Sequence, residues 1–322
     1  MSSLDHIETE RNINLANFSH FKTGDKVENL LIPKSLNELI ECILYFKTNN
    51  LEYKIVGATT NILFLDETSI KFLISTKKLA NYDIDLSNMT ASAECGLMLS
   101  KFVCNLIKNG IAGFEGLEGI PGTIGGGLFM NAGAYGCTIS DYLISVDAID
   151  SNGKKISLEK EELKFSYRSS IFRRDKDLII LKAYFKLQPG DQRNIEDKAK
   201  LFHTVRRKYN DYSYPSLGST FATLDIYSDL AKNDIVYKIS MKLIRKFFYS
   251  KKFAPHRRPA NNKILNAFTE WYFKLNYKIQ PYSDKTMNCI VNKSLPTEKY
   301  LNYIEDIKTL TRGQIEIENE II

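Results

Sequence analysis

The densest group of residues that could carry out chemistry is a glycine-rich segment near the middle of the chain. Ten of the 17 glycines lie between Gly110 and Gly136. Since glycine has no Cβ atom, the main chain of the run Gly119-Ile-Pro-Gly-Thr-Ile-Gly-Gly126 can pass close to a flat or anionic cofactor. The run is not a Gly-x-Gly-x-x-Gly pattern after a strand, so it does not predict a Rossmann site. Purely structural glycine turns are the alternative interpretation.

A second segment, Val56-Gly-Ala-Thr-Thr-Asn-Ile-Leu63, follows a short predicted strand and is rich in small and hydroxyl residues. Main-chain N–H groups in such a turn can surround a pyrophosphate, and the side chains of Thr60 and Asn61 add further donors. An ordinary turn between a strand and a loop fits the same residues.

Three further motifs carry polar side chains. Tyr167-Arg-Ser-Ser-Ile-Phe172 contains a cation that could pair with a carboxylate, or be a surface arginine on a turn. Pro215-Ser-Leu-Gly-Ser-Thr-Phe221 contains a Gly-Ser pair that by itself indicates only a turn. In Ile317-Glu-Asn-Glu-Ile321, strand alternation would place both glutamates on one face, which could equally be an exposed acidic surface.

Together these motifs resemble the UDP-N-acetylenolpyruvylglucosamine reductase (MurB) family. The glycine run and Met130-Asn-Ala-Gly-Ala-Tyr-Gly136 are similar to its flavin-binding segment, and residues 57–63 to its Gly-x-Gly-Ser-Asn-Leu-Leu loop. The other three motifs resemble Tyr-Arg-x-Ser-x-Phe, Pro-Ser-x-Gly-Ser-x-Phe and Leu-Glu-Pro-Glu-Val, with weaker matches at residues 17–24 and 283–292. The resemblance implies an α+β protein with the FAD-binding PCMH or vanillyl-alcohol-oxidase-type fold in two subdomains, followed by a C-terminal α+β substrate domain.

The resemblance also implies a role for each matching residue. Ser219 would protonate the enol carbon, Arg168 would lie beside the substrate's carboxylate and enol oxygen, and Glu320 would assist the enol step. The residues implied in FAD binding are Gly57, Ala58, Thr59, Thr60, Asn61, Ile62, Gly119, Pro121, Gly122, Thr123, Gly125, Gly126, Asn131, Ala132, Gly133 and Ala134. Those implied in substrate binding are Tyr167, Ser170, Gly218 and Asn288.

The implied reaction is a ping-pong reduction, in which NADPH reduces FAD and the enolpyruvyl sugar nucleotide then becomes UDP-N-acetylmuramate, a peptidoglycan precursor. NADH in place of NADPH stays open. The sequence departs from the family where Phe221-Ala-Thr-Leu224 replaces Phe-Lys-Asn-Pro and where Thr286 replaces a histidine. These departures leave two alternatives: the same fold acting on another nucleotide sugar in surface-polysaccharide synthesis, or a catalytically silent flavoprotein.

The amino-acid composition argues against several classes of protein. The 44 Lys and Arg residues are interleaved with 38 Asp and Glu residues, for a net charge of +6, which argues against a dedicated nucleic-acid-binding protein. Five scattered cysteines predict neither a disulfide framework nor a zinc site, and four scattered histidines predict no metal site. We expect a cytoplasmic protein, because residues 1–12 lack a signal-peptide pattern and no apolar run could span a membrane.

The elements that must position these motifs follow from periodicity. We predict FAD-binding subdomains at residues 1–80 and 81–212 and a substrate domain at 213–322. Ser35 and Glu38 predict the start of a capped helix, Asn152-Gly153 a hairpin with a two-residue turn, and residues 315–322 a final strand. Residues 237–258 contain eight basic residues and no acidic one. They predict a helix with a solvated basic face that packs on the protein by an apolar face, with membrane-surface or diphosphate binding as alternatives. The residues of the predicted packing face are Ile239, Leu243, Ile244, Phe247 and Phe248.

Overall fold

The computed structural model describes residues 4–67, 69–249 and 262–322. In chain order, the strands within these ranges are β1 (Thr9–Asn14), β2 (Lys26–Leu31), β3 (Lys54–Val56), β4 (Ile62–Leu63), β5 (Ile70–Ser75), β6 (Tyr82–Asp85), β7 (Thr90–Glu94), β8 (Gly133–Ala134), β9 (Cys137–Thr138), β10 (Leu143–Ile149), β11 (Lys155–Glu159), β12 (Ile179–Lys186), β13 (Tyr282–Ser283), β14 (Thr286–Ile290) and β15 (Glu320–Ile321).

The α-helices of the same ranges are α1 (Leu15–Phe18), α2 (Leu36–Thr48), α3 (Leu99–Lys108), α4 (Ile124–Phe129), α5 (Ile171–Arg174), α6 (Gln192–Tyr209), α7 (Ile226–Leu230), α8 (Ile235–Ile244), α9 (Lys263–Phe273) and α10 (Thr297–Leu310). A 3-10 turn covers Glu115–Leu117, and a π-helical turn, Arg245–Tyr249, continues α8. None of the helices that the structure describes is long and apolar enough to cross a membrane.

The described residues form two compact units. The first contains residues 4–14, 26–59 and 69–206, and the second contains residues 15–25, 60–67, 207–249 and 262–322. The second unit thus joins most of the predicted substrate domain to two short segments from the N-terminal part of the chain. The predicted boundaries at residues 80 and 212 stay a prediction.

One sheet of the first unit has the order β1-β2-β5-β3, with β2 and β3 both parallel to β5. The helix α2 connects two of these strands, and the Ser35 side chain caps its N-terminus by accepting a hydrogen bond from the Glu38 N–H group at 3.2 Å. The Glu38 carboxylate accepts in turn from the Lys34 N–H group at 2.9 Å. The predicted cap is confirmed, with the reciprocal bond shifted by one residue.

The other large sheet of the first unit is antiparallel, with the order β11-β10-β12-β7-β6. The predicted hairpin joins β10 to β11, but its loop has five residues, 150–154, because Ile149 pairs with Lys155. Gly153 supplies the positive φ of this loop, +79°. The predicted two-residue turn was therefore wrong, because the carboxylate and main chain of Asp150 organise a wider loop through bonds with residues 152–154.

Aromatic side chains of α2 and α3 pack against strands of the two large sheets in the first unit. Phe46 of α2 lies 4.8 Å from Phe72 of β5, and Phe102 of α3 lies 5.2 Å from Phe185 of β12, measured between ring centroids. All four side chains are buried, so each contributes roughly 2 kcal/mol by removal from water. The neighbouring β3 ends at Val56, directly before Gly57.

The core of the second unit is rich in tyrosine. Tyr237, Tyr282, Tyr300 and Tyr303 are all buried, and their hydroxyl groups are bonded. Tyr303, for example, donates to the Met287 carbonyl of β14. Buried hydroxyl groups need such partners to offset the cost of desolvation, so these bonds fix how the helices lie against β14.

The C-terminal strand is much shorter than predicted. Only Glu320–Ile321 forms a strand, β15, while Ile317 makes an isolated bridge to Phe221. The alternation argument therefore does not apply to Glu318 and Glu320. The reason is that the main chain of residues 316–318 hydrogen-bonds with the segment around Phe221, whereas the main chain of Glu320 hydrogen-bonds with Asn61.

The basic segment packs differently from the prediction. The buried side chains of α8 are Tyr237 and Met241, whereas Ile239, Leu243 and Phe247 of the predicted packing face are 55%, 49% and 54% exposed. Tyr237 stacks on Phe268 of α9 at 5.7 Å, and this aromatic contact sets the rotation of the helix. The remainder of the predicted basic helix, at residues 250–258, lies outside the described residues.

Candidate active site

The turn after β3 lies against the start of α4 in the first unit. A Cβ atom placed on Gly57 would lie 2.4 Å from the Thr123 Oγ1 atom, so a larger residue would not fit without displacing Thr123. Thr59, two residues further on, is 3% exposed and has a φ of +58°. Gly57, Ala58 and Thr59 belong to this unit. Two segments that the sequence assigned to one cofactor therefore contact each other.

Main-chain bonds hold the glycine-rich loop against the connection between β7 and α3. The Gly125 N–H group donates to the Cys95 carbonyl at 2.8 Å, and the Leu99 N–H group donates to the Gly122 carbonyl at 2.9 Å. Gly119 and Gly122 have φ angles of +70° and +130°. Only glycine adopts these angles without strain, so both positions require it.

The loop then enters α4 with one glycine facing solvent and the next facing the core. Thr123 is the N-cap, and its Oγ1 atom accepts from the Gly126 N–H group at 3.2 Å. Gly126 is exposed, and the nearest atom to a Cβ built there is the same oxygen, at 3.6 Å. Gly127 is buried, and its Cβ would lie 3.1 Å from Ile139 Cδ1. Packing alone therefore explains the second glycine but not the first.

Two side chains connect the end of α4 to the loop that carries Arg168. Asn131 donates from Nδ2 to the Ser166 carbonyl at 3.0 Å, and Ser170 donates from Oγ to the Phe129 carbonyl at 2.8 Å. Asn131 is 7% exposed, and its Oδ1 atom has no hydrogen-bond partner among the described residues. A buried acceptor without a partner is costly, and it marks a position where a bound group can donate.

Arg168 lies at the tip of a tight turn closed by a bridge between Ser166 and Ser169. Its φ is +51°, a conformation that costs energy for a residue other than glycine and that is concentrated at functional sites. The guanidinium lies 5.2 Å from the centroid of the Tyr167 ring, and that ring is 57% exposed. The turn thus presents a cation and an aromatic surface together.

Arg206 of α6 also supports the glycine-rich loop, which the sequence did not indicate. Its guanidinium donates to the Glu118 carbonyl at 3.1 Å and to the Gly116 carbonyl at 3.3 Å. It also lies 5.3 Å from the centroid of the Tyr135 ring, which stacks on Phe202 at 4.6 Å. A separation of about 90 residues between these partners explains why no local pattern predicts them.

In the second unit, β14 holds the segment that carries Ser219. The Thr220 N–H group donates to the Asn288 carbonyl at 2.8 Å. The Asn288 side chain accepts from the Phe221 N–H group at 2.7 Å and donates to the Phe221 carbonyl at 3.1 Å. Ser219 and Gly218 are exposed on the other side of this anchored segment. The loop is therefore fixed by its main chain while its serine stays accessible.

The C-terminal carboxylate segment is hydrogen-bonded to the segment that carries Ser219. Glu320 pairs with Ile62 in a parallel arrangement, and its N–H group donates to the Asn61 carbonyl at 2.9 Å. Asn61 donates from Nδ2 to the Glu318 carbonyl at 3.0 Å, and the Glu318 N–H group donates to the Thr220 carbonyl at 2.9 Å. Ladder bonds thus connect the segments that carry Asn61, Ser219 and Glu320.

Asn319 joins these three segments through one side chain. Its Nδ2 atom lies 2.8 Å from Asn61 Oδ1, 3.3 Å from the Ser219 carbonyl oxygen and 3.4 Å from the Leu217 carbonyl oxygen. The side chain is buried, and its Oδ1 atom has no partner in the part of the chain that the structure describes. Asn319 was not among the site residues predicted from the sequence, because the prediction for this segment rested on the carboxylates of Glu318 and Glu320.

A groove of about 360 Å³ opens where the sequence departs from Phe-Lys-Asn-Pro. Leu224 is 97% exposed at its edge, and Thr223 donates to Asp229. Asp225 pairs with Arg245 at 2.8 Å across the same groove wall. Although burial works in the opposite direction, hydrogen bonds from Arg245 and Ser228 lower the pKa of Asp225, so this wall carries a paired negative charge.

Comparison with characterised proteins gives the family. UDP-N-acetylenolpyruvoylglucosamine reductase from Fervidobacterium nodosum is 37% identical over 213 residues, which cover 65% of this chain and 67% of that protein. The enzyme of the same name from Clostridium novyi is 36% identical over 220 residues, covering 68% and 71%. This chain belongs to the UDP-N-acetylenolpyruvylglucosamine reductase family.

The fold also agrees with this family. The structure of the MurB reductase from Thermus caldophilus matches 98% of this chain and 99% of its own, with a TM-score of 0.70 and 20% identity. A family model described as an FAD binding domain matches residues 27–159. The predicted α+β, FAD-binding fold and the predicted family are confirmed, and the chain is an FAD-dependent oxidoreductase.

The residues of the first unit fit the FAD that the reductase family requires. The exposed glycine at position 126 leaves room for close approach, and Asn131 offers a buried acceptor that has no partner among the residues that the structure describes. Thr59 and Arg168 of the same unit both have strained main-chain conformations with positive φ. A flat cofactor that forms hydrogen bonds requires main chain that it can approach closely and side-chain acceptors to which it can donate.

Proposed function

We propose that this reductase uses NADPH and FAD to reduce UDP-N-acetylenolpyruvylglucosamine to UDP-N-acetylmuramate in peptidoglycan precursor synthesis. The family relationship supports the reaction. The observation that carries it to particular residues is the network around Asn319, which fixes the segments of Ser219 and Glu320 beside each other in one unit. A serine and a carboxylate held on rigid main chain are suited to proton transfer.

When bound, FAD supplies the hydride that goes to the terminal enolpyruvyl carbon. Ser219 is proposed to donate its hydroxyl proton to the adjacent carbon, which is strongly basic in the enolate form. Glu320 is proposed to assist at the enolate, and Arg168 to bind the carboxylate and stabilise the negative charge that develops on its oxygens as hydride is added. These three groups act on the substrate, so we propose them as the catalytic residues.

The proposed FAD-binding residues follow the motifs. In the first unit these are Gly57, Ala58, Thr59, Gly119, Pro121, Gly122, Thr123, Gly125, Gly126, Asn131, Ala132, Gly133 and Ala134, and in the second Thr60, Asn61 and Ile62. Main-chain N–H groups of the small residues would bind the pyrophosphate. The Asn131 Oδ1 atom would accept a hydrogen bond from the cofactor.

The four proposed substrate residues divide into two kinds. Tyr167 and Gly218 are exposed and are proposed to contact the substrate. Ser170 is fully buried, and both ends of the Asn288 amide are bonded to the main chain around Phe221. We therefore propose that Ser170 and Asn288 act by positioning the Arg168 turn and the Ser219 loop.

Another nucleotide sugar is the alternative substrate for the same site. The groove beside Leu224 stands where the family motif has lysine and asparagine, and its lining includes Asp225, Asp229 and Lys232. Both aspartates are ion-paired, Asp225 with Arg245 and Asp229 with Lys232. The groove therefore offers a bound sugar different side-chain contacts from those of the family motif, which favours a different sugar at that end. A catalytically silent flavoprotein is the other alternative, and it predicts flavin that NADPH does not reduce.

An anaerobic half-reaction experiment tests the proposal. We expect NADPH to bleach the purified yellow protein, and UDP-N-acetylenolpyruvylglucosamine to restore the oxidised flavin spectrum. Other UDP-sugars should not do so. Restoration only by another UDP-sugar would establish the alternative enzyme, and absence of bleaching would refute both reductase proposals.

Ser219→Ala tests the proton donor in the same assay. We expect unchanged bleaching by NADPH and reoxidation slowed by roughly 10²–10⁴-fold, the usual contribution of a positioned proton donor. Ser216→Ala changes a serine of the same loop and should leave both rates unchanged. Equal reoxidation rates for Ser219→Ala and the wild type would exclude Ser219 as the donor.

The proposed compartment is the cytoplasm. All five cysteines, each within the described residues, are free thiols, which fits a reducing environment. Subcellular fractionation of tagged protein tests this location.

A further inference from the structure

The helix α8 has apolar residues on two opposite sides. One side, with Tyr237 and Met241, is buried in the core of the second unit. The other side exposes Ile235, Ile239 and Leu243 at spacings of four residues, with exposed fractions of 66%, 55% and 49%. Residues four apart in a helix lie on one face, so these side chains form a continuous apolar row.

A row of lysines runs beside the apolar row. Lys238 and Lys242 of α8 and Lys246 of the π-helical turn that continues it are also spaced by four residues, and all three are exposed. Residues 235–249 contain no acidic side chain. Asp234 at the N-cap is already engaged by the Tyr237 N–H group and the Tyr272 hydroxyl group. Nothing in the sequence of the helix itself therefore neutralises the lysine row.

We propose that this face of α8, defined by Ile235, Ile239, Leu243 and the three lysines, binds reversibly to the surface of an anionic lipid bilayer. The apolar row would enter the boundary between headgroups and acyl chains, and the lysines would contact the lipid phosphates. This combination of an apolar stripe with adjacent lysines is characteristic of helices that lie in a membrane interface.

Charge complementarity favours a lipid surface over a protein partner. The cores of protein interfaces are depleted of lysine, because its strongly hydrated ammonium group is costly to bury. An anionic bilayer keeps these groups hydrated at the phosphate level while the apolar side chains are buried. The lysine row therefore points to lipid as the occupant of this face.

Vesicle co-sedimentation of the full-length, flavin-loaded protein tests the proposal. We expect binding to vesicles of phosphatidylglycerol and phosphatidylcholine, and little binding to phosphatidylcholine alone. Binding should weaken as salt rises, because screening acts over about 8 Å at physiological ionic strength. Replacing the lysines in Lys238→Gln/Lys242→Gln/Lys246→Gln should weaken partitioning about a hundredfold, since each lysine contributes several-fold.

A second variant tests the apolar row, and Leu201→Asp serves as its control. Ile239→Asp/Leu243→Asp should weaken partitioning by more than roughly tenfold, because two buried aliphatic side chains are lost from the bilayer. Leu201 on α6 is 58% exposed, similar to the tested residues, and its change should have no effect on binding. Both α8 variants change exposed positions, so the flavin content and melting temperature should stay at wild-type values.

Three results would overturn the proposal. The first is no binding to the anionic vesicles, and the second is equal binding by both α8 variants and the wild type. The third is a change in the molecular mass of the α8 variants in solution without any vesicle binding by the wild type, which would assign the face to a protein interface. The test is independent of turnover, so a different substrate would leave its outcome unchanged.

Discussion

Asn319 shows how one buried amide can determine the geometry of a site. The family motif Leu-Glu-Pro-Glu-Val has proline at this position, which has no side-chain donor. Here Nδ2 contacts Asn61 Oδ1 and the Ser219 carbonyl, so a predicted cofactor residue and the proposed proton donor share one partner. Since the amide is buried, water cannot readily replace its hydrogen bonds.

We predict that Asn319→Asp slows flavin reoxidation by the substrate more than it changes substrate affinity. The aspartate has the same size but presents a second oxygen to the three acceptors around Nδ2, so it would repel the Ser219 carbonyl. We expect a fall in kcat of roughly tenfold or more with KM within about threefold, since each lost bond is worth about 1 kcal/mol. Stopped-flow measurement of the two half-reactions gives these values.

The control for Asn319 is Asn302→Asp on α10, where the asparagine side chain is exposed and donates to the Glu298 carboxylate at 3.3 Å. It should leave both half-reactions unchanged. A normal reoxidation rate in Asn319→Asp would contradict the positioning role. A parallel loss of flavin reduction would indicate general disruption of the fold.

At the scale of elements, adjacent glycines on α4 have different roles. Gly127 packs against Ile139, whereas Gly126 faces open space. A short helix with both kinds of glycine can pack on the core with one side and admit a ligand on the other. We propose that the fold requires Gly127 and that the cofactor requires Gly126.

We predict that Gly126→Ala weakens FAD binding without destabilising the apoprotein. Alanine is favoured over glycine in a helix by up to about 1 kcal/mol, and the added Cβ has room. If FAD passes over this face, its affinity should fall by roughly tenfold, about 1.4 kcal/mol. Flavin fluorescence titration and the melting temperature of the apoprotein measure the two effects.

Gly127→Ala provides the matched control in the next position. Its Cβ would press on the Ile139 side chain, so we expect a lower melting temperature of the apoprotein. Unchanged FAD affinity in Gly126→Ala, or a lower apoprotein melting temperature, would show that this glycine does not face the cofactor.

At the scale of the whole molecule, the five cysteines differ in exposure. Cys104 is exposed on α3, Cys42 and Cys95 are buried, and Cys137 and Cys289 are half-buried. Burial raises the pKa of the Cys42, Cys95, Cys137 and Cys289 thiols to about 12. The thiolate is the reactive form, so these four should be inert in the native protein.

We predict that one thiol per chain reacts rapidly with a disulfide reagent at pH 8, and that the other four react only as the protein unfolds. Cys104→Ser should remove the rapid phase and leave the slow phase intact. A second rapid thiol in the native wild type would show that one of the two units is more open than the structure indicates.

The sequence alone determined the properties that depend on local pattern and on main-chain chemistry. The Ser35 cap follows from a side-chain oxygen that can accept a main-chain hydrogen bond at the start of a helix, and the glycine-rich loop follows from its composition. The motifs also gave the family, which the relatives confirm. The roles proposed for Ser219, Arg168 and Glu320 stay predictions.

Only the tertiary structure decided what depends on partners far apart in the chain. Asn319 contacts Asn61 across 258 residues, and no local pattern contains that information. The same holds for α8, because periodicity shows that a helix has apolar residues but not which of them finds a partner. Tyr237 is buried because it packs against α9, whereas Ile239 and Leu243 are exposed.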